Sequence, residues 1–430
     1  MKLIKELAMN RRTIGTTVTW CVAWLAVLML SSIAMAEVKV KDIAVKPRWP
    51  WNGLVDITYS IECDETDDEG KPKSVYVEFA AIDTDRNREI VMRTLTGDGA
   101  TDAVKDGGPY TVTWDADKDS PKLHSAALQV KIHAITGIPF YLVVNLQTWK
   151  RRYSLRPPNL DDDICRTTEL WLRRIPAGTF LMGSPVDELG SNQRWEGLHT
   201  VTLTQWFYMG VFECTQKQWE LVMGDNPARN RGACRPVDFV YFSHIRGNTD
   251  TAGAGWPKYG HAVDDSSFMG RLRAKTGLMF DLPTQAQWEY ACRAGTTTAL
   301  NSGKNLTNGT NDDAMDEVGR YYYNQSDGKG GYTKGHTKVG SYLPNAWGLY
   351  DMHGNVEECC LDWYDAYPYY SNTTVYTDPV GPGGPDWMGT RIMRGGSYAV
   401  GASGCRSAGH SSSPPTGTNS NHGFRVICLP

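Results

Sequence analysis

The stretch that decides the fold is C-terminal: Arg394-Gly-Gly-Ser397-Tyr, then Cys405-Arg-Ser-Ala, then Gly423-Phe-Arg-Val, preceded by Gly348-Leu-Tyr-Asp-Met-His-Gly-Asn355. Working outward, two further blocks stand in the same chain: Arg174-Ile-Pro-Ala-Gly-Thr-Phe-Leu-Met-Gly183 and Leu282-Pro-Thr-Gln-Ala-Gln-Trp-Glu-Tyr-Ala-Cys292-Arg. Glycine recurs near aromatic or charged residues in four of these blocks, those at 174–183, 348–355, 394–398 and 423–426. Such sequence suits tight loops packed on aromatic side chains rather than long regular helices.

The surrounding chain of 430 residues has room for two or three domains and ample core. A formal net charge of -4 and the lack of any long lysine or arginine run argue against nucleic acid as a partner. The N-terminus carries Lys2, Lys5, Arg11 and Arg12, an apolar run from Val18 to Ile33, and Ala34-Met-Ala36. This order is that of a signal peptide cleaved before Glu37, so export is expected, with no stable membrane span after cleavage; an uncleaved anchor is the competing reading. The destination could be periplasmic, cell-surface or extracellular. Nine cysteines remain beyond the leader, an odd number, so at least one is unpaired within the chain.

Residues 37–150 alternate apolar with polar side chains in Val55–Ile61, Val75–Phe79, Tyr110–Trp114 and Leu128–Ala134. That period predicts an antiparallel β-sandwich of immunoglobulin-like type, with no catalytic constellation in it. Residues 151–165 are charged and proline-containing and read as a linker. In the segment 166–430, Thr215-x-x-Gln218 and Thr284-x-x-Gln287 each predict a capping box opening a short helix, with Trp219 and Trp288 turned inward.

The six ordered blocks resemble the sulfatase-modifying factor family, whose type member is the formylglycine-generating enzyme. The resemblance implies an α+β chain: the sandwich plus a loop-rich C-terminal domain related to C-type lectins. It also implies a copper(I) site of two cysteines five positions apart, since soft thiolates suit that metal. Aligned on Gly395-Gly-Ser-Tyr398, those positions are Val400 and Cys405, so the pair is incomplete and copper is doubtful. Ser397 matches the family's active-site serine; Cys405 and Ser397 are the candidate catalytic residues, with bracing of the glycine turn as the alternative for the serine and a buried or disulfide-bonded cysteine as the alternative for Cys405. Cys359 and Cys360 are conceivable replacement ligands. Glu357 and Cys359 stand where the family usually has tryptophans.

Asn355 and Glu358, with the backbone carbonyl of His353, match family positions for a structural calcium ion, a suitable role for hard oxygen ligands on a glycine loop; loop hydrogen bonding is the alternative. The family also pairs the cysteine at position 292 with one near Val426, which implies either a shifted bond to Cys428 or two free thiols. No His-Glu-x-x-His or related iron signature occurs. The expected function is therefore a binding or divergent member with a protein or glycan ligand. The alternatives are an oxidase that matures the cysteine of a client sulfatase, or a lectin-like variable protein, suggested by the small polar run 399–422.

Overall fold

The computed structural model describes residues 38–67, 69–84, 88–120, 123, 128–247, 263–325, 335–365, 373–384 and 388–430. The expected signal segment 1–36 lies outside them. Two compact units divide at Ile138/Pro139.

In the first unit, strands β1 (Lys39–Pro47), β2 (Leu54–Glu62), β5 (Leu95–Gly97) and β6 (Gly107–Asp115) form one antiparallel sheet in the order β1-β2-β6-β5. The second sheet has the order β4-β3-β7, from Arg88–Val91, Val75–Asp83 and Leu128–Thr136. Alternation sends Val55, Ile57, Tyr59 and Ile61 of β2 into a core shared with Val75, Val77 and Phe79 of β3. Trp114 is fully buried there, and its indole N–H donates to Asp119 at 2.8 Å, so the large ring is buried without an orphaned donor. This is the antiparallel sandwich expected from the period-two pattern.

Its C-terminal boundary differs from the sequence reading. Residues 139–154 supply strands β8 (Tyr141–Asn145) and β9 (Arg151–Ser154) to the second unit, so the sandwich ends at 138 and 151–154 is not a linker. The charge that looked like a linker belongs to an edge strand: Arg152 bonds Glu169 at 2.9 Å and lies 4.9 Å over the Trp171 ring.

The second unit holds three sheets. A six-stranded sheet runs β14-β20-β13-β10-β8-β9, using β10 (Glu169–Ile175), β13 (Phe207–Gly210), β14 (Phe280–Asp281) and β20 (Ile427–Cys428). A three-stranded sheet joins β11 (Gly178–Met182), β12 (His199–Leu203) and β16 (Val375–Thr377), the last two parallel. A four-stranded sheet runs β18-β17-β15-β19, from His410–Ser413, Arg391–Arg394, Glu357–Trp363 and His422–Gly423. Helices α1 (Gln216–Met223), α2 (Phe268–Thr276) and α3 (Gln285–Arg293) pack among them.

Both expected capping boxes are present. Thr215 and Thr284 each accept from the N3 backbone, while Gln218 and Gln287 reach back to the cap N–H. Trp219 stacks on Phe268 at 5.3 Å, and Trp288 is fully buried. Few helices and many short strands give the α+β class.

Candidate functional site

Buried ion pairs explain why the sequence blocks occur together. Arg394, ahead of the double glycine, donates to Glu289 of α3 at 3.0 Å and to Gln285 at 2.9 Å. Glu289 in turn accepts from the Gly183 N–H at 2.8 Å, while Arg293 donates to the Gly183 carbonyl at 2.6 Å. Arg406 grips Glu196 through both terminal nitrogens at 2.9 Å and Glu188 at 2.6 Å. Arg425 spends all five donors: Glu358 takes Nε and Nη2, and the carbonyls of Gly210, Val211 and Tyr350 take the rest. Each guanidinium is nearly solvent-free, so its pairing is obligatory rather than ornamental.

Around this frame Gly395 and Gly396 both have positive φ, 89° and 66°. A Cβ on Gly396 would stand 2.7 Å from the Cys405 sulfur, so only glycine lets the two segments approach. Cys405 is 0% exposed, ends a short 3₁₀ turn at 402–405, and packs in an apolar cluster with Leu300, Leu306, Met315, Val318 and Tyr321. Val400 leans on the same cluster. Burial drives the Cys405 thiol far above its ordinary pKa, which holds it protonated and poorly nucleophilic. This donor set does not fit copper(I): one buried thiol faces hydrocarbon where a second thiolate would be required.

Ser397 is also fully buried. Its hydroxyl accepts from the Asn421 amide at 3.2 Å and from the Ala399 N–H at 3.4 Å, which braces the turn after the glycines. Nearby, Glu357 and His422 form a half-buried pair at 3.4 Å. Cys359 lies 3.4 Å from the Met393 sulfur across β15 and β17, and burial raises its thiol to about 12. Cys360 is buried beside the Glu358 carbonyl. Among the described residues no three His, Cys, Asp or Glu side chains are grouped to hold a metal.

All nine described cysteines are free, so of the two alternatives for Cys292 and Cys428 the structure has the pair of free thiols and not the shifted bond. Cys292 faces inward from α3 toward His353 and Ser407, at 3.9 and 3.8 Å, whereas Cys428 sits on β20 against the Leu429 carbonyl.

The residues expected for calcium are placed close in sequence but spend their atoms on protein partners. Both Glu358 oxygens are taken, by Arg425 and by the Trp288 indole N–H at 2.7 Å. Asn355, at φ 62°, accepts from the Thr337 N–H at 2.8 Å and donates its amide to Glu213. His353 donates from Nδ1 to the Cys405 carbonyl at 2.7 Å and accepts at Nε2 from the Asn301 N–H at 3.0 Å. The side chains of Asn355 and Glu358, so engaged, do not fit a calcium ion, and the loop-bonding alternative describes them; the ring bonds of His353 leave its backbone carbonyl, the atom expected as ligand, out of account. The unsatisfied atom is one the sequence reading passed over: Oδ1 of Asp351, buried without a partner. Desolvation, with Glu358 adding repulsion, lifts the Asp351 carboxyl to about 6; Glu213 is raised further by burial and by the charges of Asp351 and Glu358. Arg425 offsets these three acids, with Arg166 adding to its effect on Asp351.

A separate cleft of about 490 Å³ lies beside the glycine turn, lined by Tyr322, Tyr323, Tyr398, Gln325 and Asn230. Tyr322 and Tyr323 are 49% and 47% exposed, and Gln325 holds the Tyr398 carbonyl at 2.6 Å.

Residues 166–429 match the family of sulfatase-modifying factor enzyme 1-like domains. Formylglycine-generating enzyme of Streptomyces coelicolor is 38% identical over 154 residues, which cover 34% of this chain and 45% of the relative. Chaperone protein LppX of Paenibacillus barcinonensis is 32% identical over 188 residues, 38% of this chain and 64% of that one. The chain thus spans about half to two thirds of these relatives. Treponema denticola variable protein 1 superposes with a TM-score of 0.46 at 25% identity, covering 61% of this chain and 96% of that structure. No helix among the described residues is long and apolar enough to cross a membrane.

Proposed function

The chain belongs to the sulfatase-modifying factor family, and we propose that it is an exported, ligand-binding member that does not carry out two-cysteine copper oxidation. The observation that carries this reading is the pairing of a fully buried Cys405 with Val400 in one apolar cluster. Oxidation of a substrate cysteine needs a thiolate-bound metal open to oxygen and peptide; a protonated thiol sealed in hydrocarbon offers neither. A family fold without the family's metal ligands keeps its scaffold and loses its reaction.

The ligand face in this reading is the tyrosine cleft beside Ser397 and Tyr398. Half-exposed tyrosines supply apolar area with a polar tip, a chemistry suited to a protein or glycan surface. Export rests on the N-terminal pattern alone. A second reading, maturation of a client sulfatase, is favoured by the similarity to formylglycine-generating enzymes.

The two readings separate in one assay. Purified protein is incubated with copper(I), oxygen, reductant and a cysteine peptide, with an active family member alongside, and aldehyde is followed by mass. The binding reading expects no product. Turnover comparable to the control, lost on Cys405→Ser, establishes the oxidase instead.

A further inference from the structure

A cavity of about 440 Å³ opens at the far end of β15, and it shares no lining residue with the tyrosine cleft, Ser397 or Cys405. Its walls combine Asp362 and Trp363 of β15, His199 of β12 and Tyr376 of β16, with Trp195 on the connecting loop. The three strands β12, β15 and β16 all belong to the second unit.

Two independent observations mark the cavity as built. First, β15 slips its register against β17 between Cys359 and Trp363. Such irregularities redirect side chains and recur beside functional sites, and Asp362 lies within this one. Second, polar atoms without partners gather in the wall. Asp362 is 1% exposed; its Oδ2 accepts from the Gln285 N–H at 2.7 Å, but Oδ1 has no hydrogen-bond partner. The indole N–H groups of Trp195 and Trp363 also have none. Native interiors leave few such groups unpaired, so three in one wall call for an explanation.

We propose that this cavity binds a neutral saccharide ring. Ring hydroxyls can accept from both indole N–H groups and donate to the Asp362 carboxylate, whereas the C–H face of a sugar packs on the Tyr376 ring. An organic cation satisfies the carboxylate and leaves both indole donors unpaired. An anion is opposed by Asp362, Asp365 and Asp378, all of which line the space, and among the described residues no lysine or arginine lines it. The volume lies within the range of small-ligand sites and accommodates one or two sugar rings.

The proposal goes beyond the reading of the tyrosine cleft and is tested apart from it. The full chain is titrated with glucose, galactose, mannose and N-acetylglucosamine, with choline and acetate as charged controls, by calorimetry and tryptophan fluorescence. At least one neutral sugar should bind saturably. Asp362→Asn and Tyr376→Ala should each weaken that binding at least tenfold with unchanged circular dichroism, whereas Tyr322→Ala in the other cleft should leave it intact. Tyr376→Ala carries the test if Asp362→Asn does not fold. Absence of saturable binding by every sugar, binding that survives Tyr376→Ala, loss on Tyr322→Ala, or choline binding in preference to all sugars overturns the proposal.

Discussion

Nδ1 of His353 lies 2.7 Å from the Cys405 carbonyl oxygen and joins the Gly348–Asn355 loop to the Cys405 turn inside the core. With Nε2 accepting from Asn301, the ring must be neutral and carry its proton on Nδ1.

Burial depresses the His353 pKa to about 4. Protonation is therefore easier in the unfolded chain, and the stability held by this ring is present above pH 6.5 and lost as pH falls through about 4. His353→Asn should remove that dependence. Urea midpoints from pH 7 to 4 should show the wild-type advantage over the variant shrinking by on the order of 3 kcal/mol. A constant difference across the range contradicts the assignment.

Asp351 has the opposite sign. Its carboxyl is raised to about 6, so it favours the folded state below the unfolded value and costs stability as pH rises through 6. Asp351→Asn in chelator should gain about 2–3 kcal/mol at pH 7.5 and little at pH 4. Calcium at millimolar concentration should leave the wild-type melting temperature unchanged, since Glu358 and Asn355 are already engaged. A calcium-dependent rise abolished by Glu358→Ala would restore the calcium site.

Removing the Arg425 side chain leaves Glu358 charged, buried and facing Glu213 and Asp351. Arg425→Met should destabilise by about 3–5 kcal/mol, and adding Glu358→Gln should recover part of that loss. Thermal melts of both variants check this, and equal stability of single and double variants contradicts a direct pair.

Local signals were readable and long-range ones were not. The β2 and β3 alternation and the Thr215 and Thr284 caps depend on neighbours within a few residues, and all are present. The six motif blocks disclosed the family, but not that Arg394, Arg406 and Arg425 bind acids 67 to 218 residues away. No periodicity encodes such a pairing. Asp351 and Glu213 escaped for the same reason. The domain boundary was misplaced because β9 is charged, and its charge makes sense only beside Glu169 and Trp171. A Cys292–Cys428 bond was an option only through the family resemblance; that both thiols are free follows from helix and strand placement, which no local pattern encodes.

The central claim concerns the Val400–Cys405 position, and copper(I) affinity addresses it most directly. Native protein and Cys405→Ser are titrated with copper(I) against a chromophoric chelator under anaerobic, non-denaturing conditions. The account predicts the same weak uptake by both, because Cys405 is sealed with Val400 in an apolar cluster. A stoichiometric, tight site in the native protein that Cys405→Ser eliminates would contradict it.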